Sequence, residues 1–386
     1  MKIEKTEDAK QVNRVFAVAF HTDAEKGPAG KGTKIQHWGA FDGDAMMATV
    51  SAEALSMNFD GRLCPMAAVG GVATLPQYRG QGCIREIFRR MLPELYDGGC
   101  DFSYLYAFSN AFYRQFGYES CVQLMEMTVD LGQLRPEKTV GRWELRDPAH
   151  PLTAPMEALD RLWEERYNMM VRREMPEPPA PGEQAYVWWN SQGQPGAYVI
   201  FRRVSRPTLR GFEELDLRCS RLRFADREGF QAVLGLLRTM AADCRLAVFS
   251  LPAGCGMEYL LPEWSLHAAD RRVQTAGMVR VINVMEVLKK ARYRGGSGEM
   301  VLELQDDVIK ENCGRFRVRY RDGRAEALER TDKSPDAVLT IAAFSALVCG
   351  VAELSQAGLW MKGVEIRNDR AEALFYRKPM MVNSYF

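Results

Sequence analysis

The stretch Val69-Gly70-Gly71-Val72-Ala73-Thr74-Leu75-Pro76-Gln77-Tyr78-Arg79-Gly80-Gln81-Gly82 joins a β-type apolar run to the start of a helix. Backbone N–H groups at a helix N-terminus point outward without partners, and the helix dipole favours an anion there. Gly80 and Gly82 let the backbone approach phosphates closely and adopt dihedrals that other residues avoid. The following segment supports a helix. Ile84, Ile87, Phe88, Met91, Leu92 and Leu95 recur at the spacing of one buried face, with Arg85, Glu86, Arg89, Arg90 and Glu94 on the other side. Pro93 is expected to kink or shorten its last turn. The stretch is not a Walker loop, because no Gly-Lys-Ser/Thr follows, and it lacks the Gly-x-Gly-x-x-Gly of dinucleotide folds. The glycines alone would equally suit any strand–turn–helix unit of an α/β protein.

The full string is narrower. Gln77-x-x-Gly80-x-Gly82 after Val72-Ala-Thr-x-Pro76 resembles the coenzyme A loop of GCN5-related N-acetyltransferases (GNAT). Tyr104 to Asn110 reads as the next strand and its exit, followed by Ala111-Phe-Tyr-Arg-Gln-Phe-Gly-Tyr118. Its Tyr113-Arg-Gln-Phe-Gly-Tyr118 form resembles the enhanced-intracellular-survival (Eis) branch of that family, as do the chain length and the C-terminal Phe386.

At 386 residues the chain is expected to hold two or three domains, and a hydrophobic content of 47% is ample for their cores. Lys and Arg number 51 against 50 Asp and Glu, a net charge of +1 that argues against electrostatic nucleic-acid binding. Nine scattered cysteines without a Cys-x-x-Cys pair, beside only four histidines, give no expectation of a zinc or other metal site. The odd cysteine count and the polar start Met1-Lys-Ile-Glu-Lys-Thr-Glu-Asp8 lead us to expect reduced thiols in a cytoplasmic protein. Cys83, at a helix start, has two readings: a thiol made reactive by the dipole, or a small residue filling a turn. The apolar stretch Ala337 to Ala352 is shorter than the roughly 18–20 residues of a membrane span and reads as a buried strand and helix.

The expected class is α+β (α/β-like): tandem GNAT-type folds, the second degenerate, plus a C-terminal sterol-carrier-like α/β domain. Residues 1–135 form the acetyl-CoA-binding unit, with a helix through Val12, Val15, Phe16, Ala19 and Phe20 and strands near Trp38, Met46 and Leu63. Residues 136–290 repeat the theme, with a strand at Leu217–Phe224, an amphipathic helix through Phe230, Val233, Leu234 and Leu237, and a strand at Arg245–Leu251. Between them lies Ala225-Asp226-Arg227-Glu228-Gly229, where Asp226 suits an N-cap. Two carboxylates at that position should repel phosphates, so this copy is expected not to hold coenzyme A; chance similarity of two α/β segments is the other reading. Residues 291–386 have the order of the sterol-carrier-like tail of the Eis family, which in that family delivers the C-terminus.

The resemblance implies acetyl transfer from acetyl-CoA to an amine. Val72, Ala73 and Thr74 would run beside the pantetheine and polarise the thioester carbonyl through a backbone N–H. Gly80, Gln81, Gly82, Cys83, Ile84 and Arg85 would hold the pyrophosphate, Arg79 would add charge, and Phe108 and Ser109 would touch the cofactor. Tyr113 is the implied acid. A phenol of pKa about 10 giving its proton to a thiolate of about 8.5 climbs roughly 2 kcal/mol. Tyr118 is the competing phenol, expected to be structural. The implied base is the C-terminal carboxylate of Phe386, whose ordinary pKa of about 3.5 is some five units, roughly 7 kcal/mol, below that of an amine. It therefore needs desolvation, a water, or a role in attracting the ammonium. The tail Met380 to Phe386 carries no charged side chain, which suits insertion into a core. Asp23, Glu25 and Glu53 are acidic candidates for a polycationic acceptor, and Trp38, Trp188 and Trp189 are candidate aromatic walls or core residues. Where the best-known family members carry an acid before the last aromatic, this chain has Tyr385. The implied acceptors are aminoglycosides or similar polyamines, in a homo-oligomer that is a hexamer by analogy, with neither nucleic acid nor membrane as partner. The alternatives are a protein or peptide lysine acetyltransferase and a non-catalytic lipid carrier.

Overall fold

A computed structural model of the chain describes residues 1–23, 35–172, 178–207, 213–256, 269–275, 277–381 and 383–384. It divides into two compact units: Met1–Val122 with Ala276–Lys378 and Asn383–Phe386, and Gln123–Thr275 with Pro379–Val382. The breaks at 122/123 and 275/276 depart from the sequence boundaries at 135/136 and 290/291.

In the first unit, β1 (Lys2–Thr6), β2 (Ile35–Asp42), β3 (Ala45–Phe59), β4 (Arg62–Thr74), β5 (Phe102–Leu105), β6 (Glu119–Ser120) and β15 (Met278–Val281) form one sheet in the order β1-β2-β3-β4-β5-β15-β6. Asp60 and Gly61, both at positive φ (52° and 80°), turn β3 into β4. Helix α2 (Cys83–Asp97) buries Ile87, Phe88, Met91 and Leu92 on one sheet face, against Trp38, Val50, Val69 and Leu105. It runs through Pro93 to Asp97. Helix α1 (Ala9–Phe20) packs Val12 and Val15 on Phe41, Met46, Ala73 and Leu75 of the other face. A short α3 (Asn110–Arg114) precedes β6.

Two irregularities shape the site. The parallel pairing of β4 and β5 stops at Val69–Leu105, yet β4 continues to Thr74, so the two chains diverge into a wedge. The β3–β4 register slips between Thr49–Ala73 and Ser51–Gly70, a bulge on β4 at which Gly71 takes φ +58°.

The second unit repeats this plan. Strands β7 (Gln123–Asp130), β8 (Gly141–Leu145), β10 (Gln184–Asn190), β11 (Pro195–Pro207), β12 (Glu213–Phe224), β13 (Cys244–Pro252) and β14 (Ala269–Thr275) lie in the order β14-β7-β13-β12-β11-β10-β8, and β9 (Val171–Arg172) is a two-residue strand outside it. Helix α4 (Thr153–Arg166) precedes β10, and α5 (Arg227–Thr239) connects the parallel pair β12 and β13 as α2 connects β4 and β5. That pairing also ends early, at Arg218–Val248, and β12 also slips register, between Ile200–Arg221 and Phe201–Cys219.

The two orders explain the boundary differences. In each sheet one strand lies between the fifth and the outermost: β15 in the first unit, β7 in the second. Strand β7 follows β6 of the first unit in the chain but pairs in the second, and β15 follows β14 of the second but pairs in the first. Each half thus lends the other a strand.

The C-terminal part belongs to the first unit. Strands β16 (Gly298–Gln305), β17 (Gly314–Arg321), β18 (Arg324–Arg330), β19 (Ala337–Thr340) and β20 (Val364–Ile366) form a sheet in the order β18-β17-β16-β19-β20, with α6 (Val284–Lys290), α7 (Ile341–Cys349) and α8 (Leu354–Trp360). The apolar stretch is β19 and α7. Ser345 of α7 accepts the Val281 N–H at 2.8 Å. Arg280 of β15, wholly buried, donates both to the Asp306 carboxylate at 2.7–2.8 Å and to the Phe116 carbonyl. Lys378 meets Asp60 at 2.8 Å, also buried, just before the tail. Among the described residues no helix is long and apolar enough to cross a membrane.

Candidate active site

The β4–β5 wedge opens into a cleft of about 760 Å³. Val72, Ala73 and Thr74 line it from the strand, Arg79 to Arg85 from the loop and the first turn of α2, and Phe108 from beyond β5. Beyond Leu105 the β5-side backbone groups of β4 lack a sheet partner, which is what a pantetheine amide needs. No side chain caps α2, because Gly82 stands at its N-cap position. A Cβ on Gly80 or Gly82 would meet nothing within 4 Å, but both sit at φ near +80°, so glycine serves the turn, and both residues line the cleft. The residues present therefore fit a pyrophosphate-bearing ligand.

Cys83 is buried, and that burial raises its thiol pKa; it fills the turn. Ser109 is not in the cleft lining. Its hydroxyl caps α3, accepting the Phe112 N–H at 3.3 Å. Trp38 is no aromatic wall: it is 2% exposed beneath α2, and its indole N–H donates to Glu94 at 3.0 Å. Alternation along β2 decides this, since Trp38 shares a face with Ala40 and His37 takes the opposite one. Trp188 is likewise core. Asp23 is exposed just beyond the end of α1, whereas Glu25, Tyr385 and Phe386 lie outside the described residues.

Tyr113 sits on α3, its ring edge-on to Phe88, Phe108 and Phe112 at 5.1–6.0 Å. Burial pushes its phenol above the ordinary tyrosine range. Its hydroxyl has no hydrogen-bond partner among the described residues. The Tyr118 hydroxyl is tied to Ser103 at 2.6 Å in the core, a structural role. Tyr106, the first residue past β5, donates its hydroxyl to the Ser384 carbonyl at 2.5 Å.

Residues 2–121 match the acetyltransferase (GNAT) domain and residues 284–382 the sterol carrier protein domain. The chain joins a GNAT acetyltransferase domain to a sterol carrier domain. The GNAT match ends beside the 122/123 break. A GCN5-related N-acetyltransferase from Anabaena variabilis has the same fold at TM-score 0.85 and 19% identity, with all of both chains covered. A conserved protein from Enterococcus faecalis matches at 0.83 and 21%, covering all of this chain and 99% of its own. Eis1 from Mycobacterium abscessus matches at 0.80 and 19% over the full length of both. No curated protein matches by sequence. Architecture and domains are those of an N-acetyltransferase, and GNAT domains use acetyl-CoA.

The sequence did not point to several residues of the GNAT cleft: Ala19 and Phe20 at the end of α1, Tyr78 in the loop, and Phe112 and Gln115 around α3. Phe20 and Phe108 are about half and three-quarters exposed, unusual for phenylalanine, and both border the cleft. A helical stripe marks Phe20 as apolar but not as the end of a stripe with nothing beneath it.

Proposed function

We propose that the protein transfers the acetyl group of acetyl-CoA to an amine of an aminoglycoside or a similar polyamine. Gly80 to Arg85 hold the pyrophosphate, with Arg79 adding charge. The backbone of Val72 to Thr74 orients the pantetheine and polarises the thioester carbonyl. Tyr113 gives its proton to the departing sulfur, and a phenol of raised pKa stays protonated until that moment. The Phe386 carboxylate acts as the base and draws the ammonium in. The observation that carries this reading is the hydrogen bond from Tyr106 to Ser384, because it holds the tail two residues from its end beside the open wedge. An amine-rich acceptor suits a site served by a chain-terminal anion.

Adding two residues after Phe386 tests the role of the terminus without deleting a side chain. Thiol release from acetyl-CoA with kanamycin is expected to fall by at least tenfold in that variant, with acetyl-CoA binding retained. Full activity rules the terminal carboxylate out. A lysine peptide run beside kanamycin decides between a small polyamine and a protein side chain as acceptor.

A further inference from the structure

A row of residues crosses the sheet on the α1 face at the level where the wedge opens. Thr6 of β1 pairs with His37 of β2, His37 with Ser51 of β3, and Ser51 with Gly70 of β4. Paired residues share a face, and the last β4–β5 pair, Val69–Leu105, puts Tyr106 next in line. Gly70, at the bulge, contributes no side chain, and it is flanked on one side by Ser51 with His37 behind it, and on the other by Tyr106 holding the Ser384 carbonyl. Nδ1 of His37 lies 2.7 Å from the Ser51 hydroxyl, and both residues are buried. Nε2 of His37 has no hydrogen-bond partner among the described residues.

The geometry points to His37 and Ser51 as a proton-accepting pair for the amine that attacks over Gly70. The inference rests on the acetyl-transfer reading above and reassigns one role in it: the terminal carboxylate, about five pKa units too weak to deprotonate an ammonium efficiently, keeps the task of attracting it, and His37 with Ser51 takes the proton in its place. Burial lowers the His37 pKa, so the imidazole is neutral at pH 7 and free to accept. The charged groups around it are few. Glu4, opposite Gly39 on β1, is held by Lys2 at 2.6 Å; Glu53 lies diagonally on β3; and α1 turns Val12 and Val15 inward while Lys10 and Arg14 stay in solvent. The ammonium passes one proton, directly or through a water, to the Ser51 oxygen as the Ser51 proton moves to Nδ1 of His37. The freed lone pair forms the C–N bond and the C–S bond breaks. Tyr113 protonates the sulfur, the second nitrogen proton returns through water to Tyr113, and the His37 imidazolium gives its extra proton to solvent, which leaves Nδ1 free to accept from Ser51 again. One proton is released per amide formed.

Thiol release with kanamycin, followed from pH 6 to 9.5, tests the pair in His37→Ala and Ser51→Ala alongside acetyl-CoA binding. Turnover is expected to fall by about 10²-fold at pH 7 in each. The deficit should shrink as rising pH deprotonates the amine in solution, added imidazole should restore part of the His37→Ala loss, and acetyl-CoA should bind as before. Wild-type turnover and an unchanged acid limb in either variant overturn the pair while leaving acetyl transfer intact. A deficit constant across pH without imidazole rescue overturns it as well, as a packing effect. If His37→Ala does not fold, Ser51→Ala decides by the same pH profile. A wild-type protein that releases no thiol with kanamycin or a lysine peptide overturns the acetyl-transfer reading itself, and the pair with it.

Discussion

The two wedges of this chain share a topology and differ in what occupies them. At the end of β4 the parallel pairing stops and a cleft begins; at the end of β12 it stops and side chains fill the gap. Phe224, the last residue of β12, lies between Trp163 at 5.1 Å and Phe230 at 4.7 Å. The Trp163 indole donates to the Phe224 carbonyl at 2.8 Å, and Arg166 donates to the Ala225 carbonyl at 2.7 Å. Both donors belong to α4, the counterpart of α1, whose own last turn instead lines the open cleft with Ala19 and Phe20.

The helix N-termini differ in the same sense. On α5, Asp226 caps the Gly229 N–H at 2.9 Å, Glu228 accepts the Val140 N–H at 3.3 Å, and Gln231 accepts the Glu137 N–H at 2.9 Å. Residues 137–140 thus lie where a phosphate would have to sit. On α2 the equivalent amides carry no side-chain cap. A fold that makes an anion site loses it when a capping carboxylate takes a helix amide and the next segment of chain is held over the helix start. The comparison teaches that the strand divergence belongs to the scaffold, and that the ligand site depends on what is left out of it.

The largest effect should come from removing the acid proposed for the open wedge. Tyr113→Phe is expected to lower turnover by roughly 10²–10⁴ with acetyl-CoA binding retained. Near-normal turnover would mean that chemistry does not depend on this phenol. On the filled side, Trp163→Ala removes a fully buried indole and its hydrogen bond, and should cost about 3–5 kcal/mol of stability in a denaturant titration. It should not create a second acetyl-CoA site, because Asp226 still caps the Gly229 amide of α5 and Glu228 still holds the Val140 N–H beside it. Two sites per chain by calorimetry in that variant would break the comparison.

Much of this was legible in the sequence. The apolar stripe from Ile84 to Leu92 and the Gly80–Gly82 loop give α2 and its exposed amides, and Asp226 and Glu228 show beforehand why the second loop differs. The strand exchange was not legible. The sequence analysis singled out neither Met278–Val281 nor Gln123–Asp130, and nothing local in either specifies a partner more than a hundred residues away. Residues were hardest to place where two faces of one strand are both buried, as on β2. There Trp38 and His37 are neighbours in sequence, and only the packing of α2 and α1 tells which of them lies beneath which helix.

Smaller effects should sharpen the difference between the loops. Gly82→Val introduces a branched residue at φ +79° in open space, so the strain falls on the loop backbone rather than on a neighbour. At about 1–2 kcal/mol, acetyl-CoA affinity should fall roughly tenfold. The same change at Gly229 would drive a Cβ to 2.2 Å from the Gly196 carbonyl oxygen and should damage the second unit's stability instead. Equal losses of affinity from both would contradict a single open site.

Arg85→Ala should act most weakly, because the side chain is exposed in the first turn of α2 and any contact with a phosphate is shared with water. An exposed charge interaction of about 0.5–1 kcal/mol predicts a two- to fivefold weaker acetyl-CoA affinity at low salt. Screening predicts its disappearance near 1 M salt, where the Debye length is about 3 Å. Arg227→Ala, on the first turn of α5, removes the ion pair with Glu137 and should leave acetyl-CoA affinity unchanged at every salt concentration. A salt-dependent loss from Arg227 and none from Arg85 would place the phosphates on the wrong helix and reverse the assignment of the two wedges.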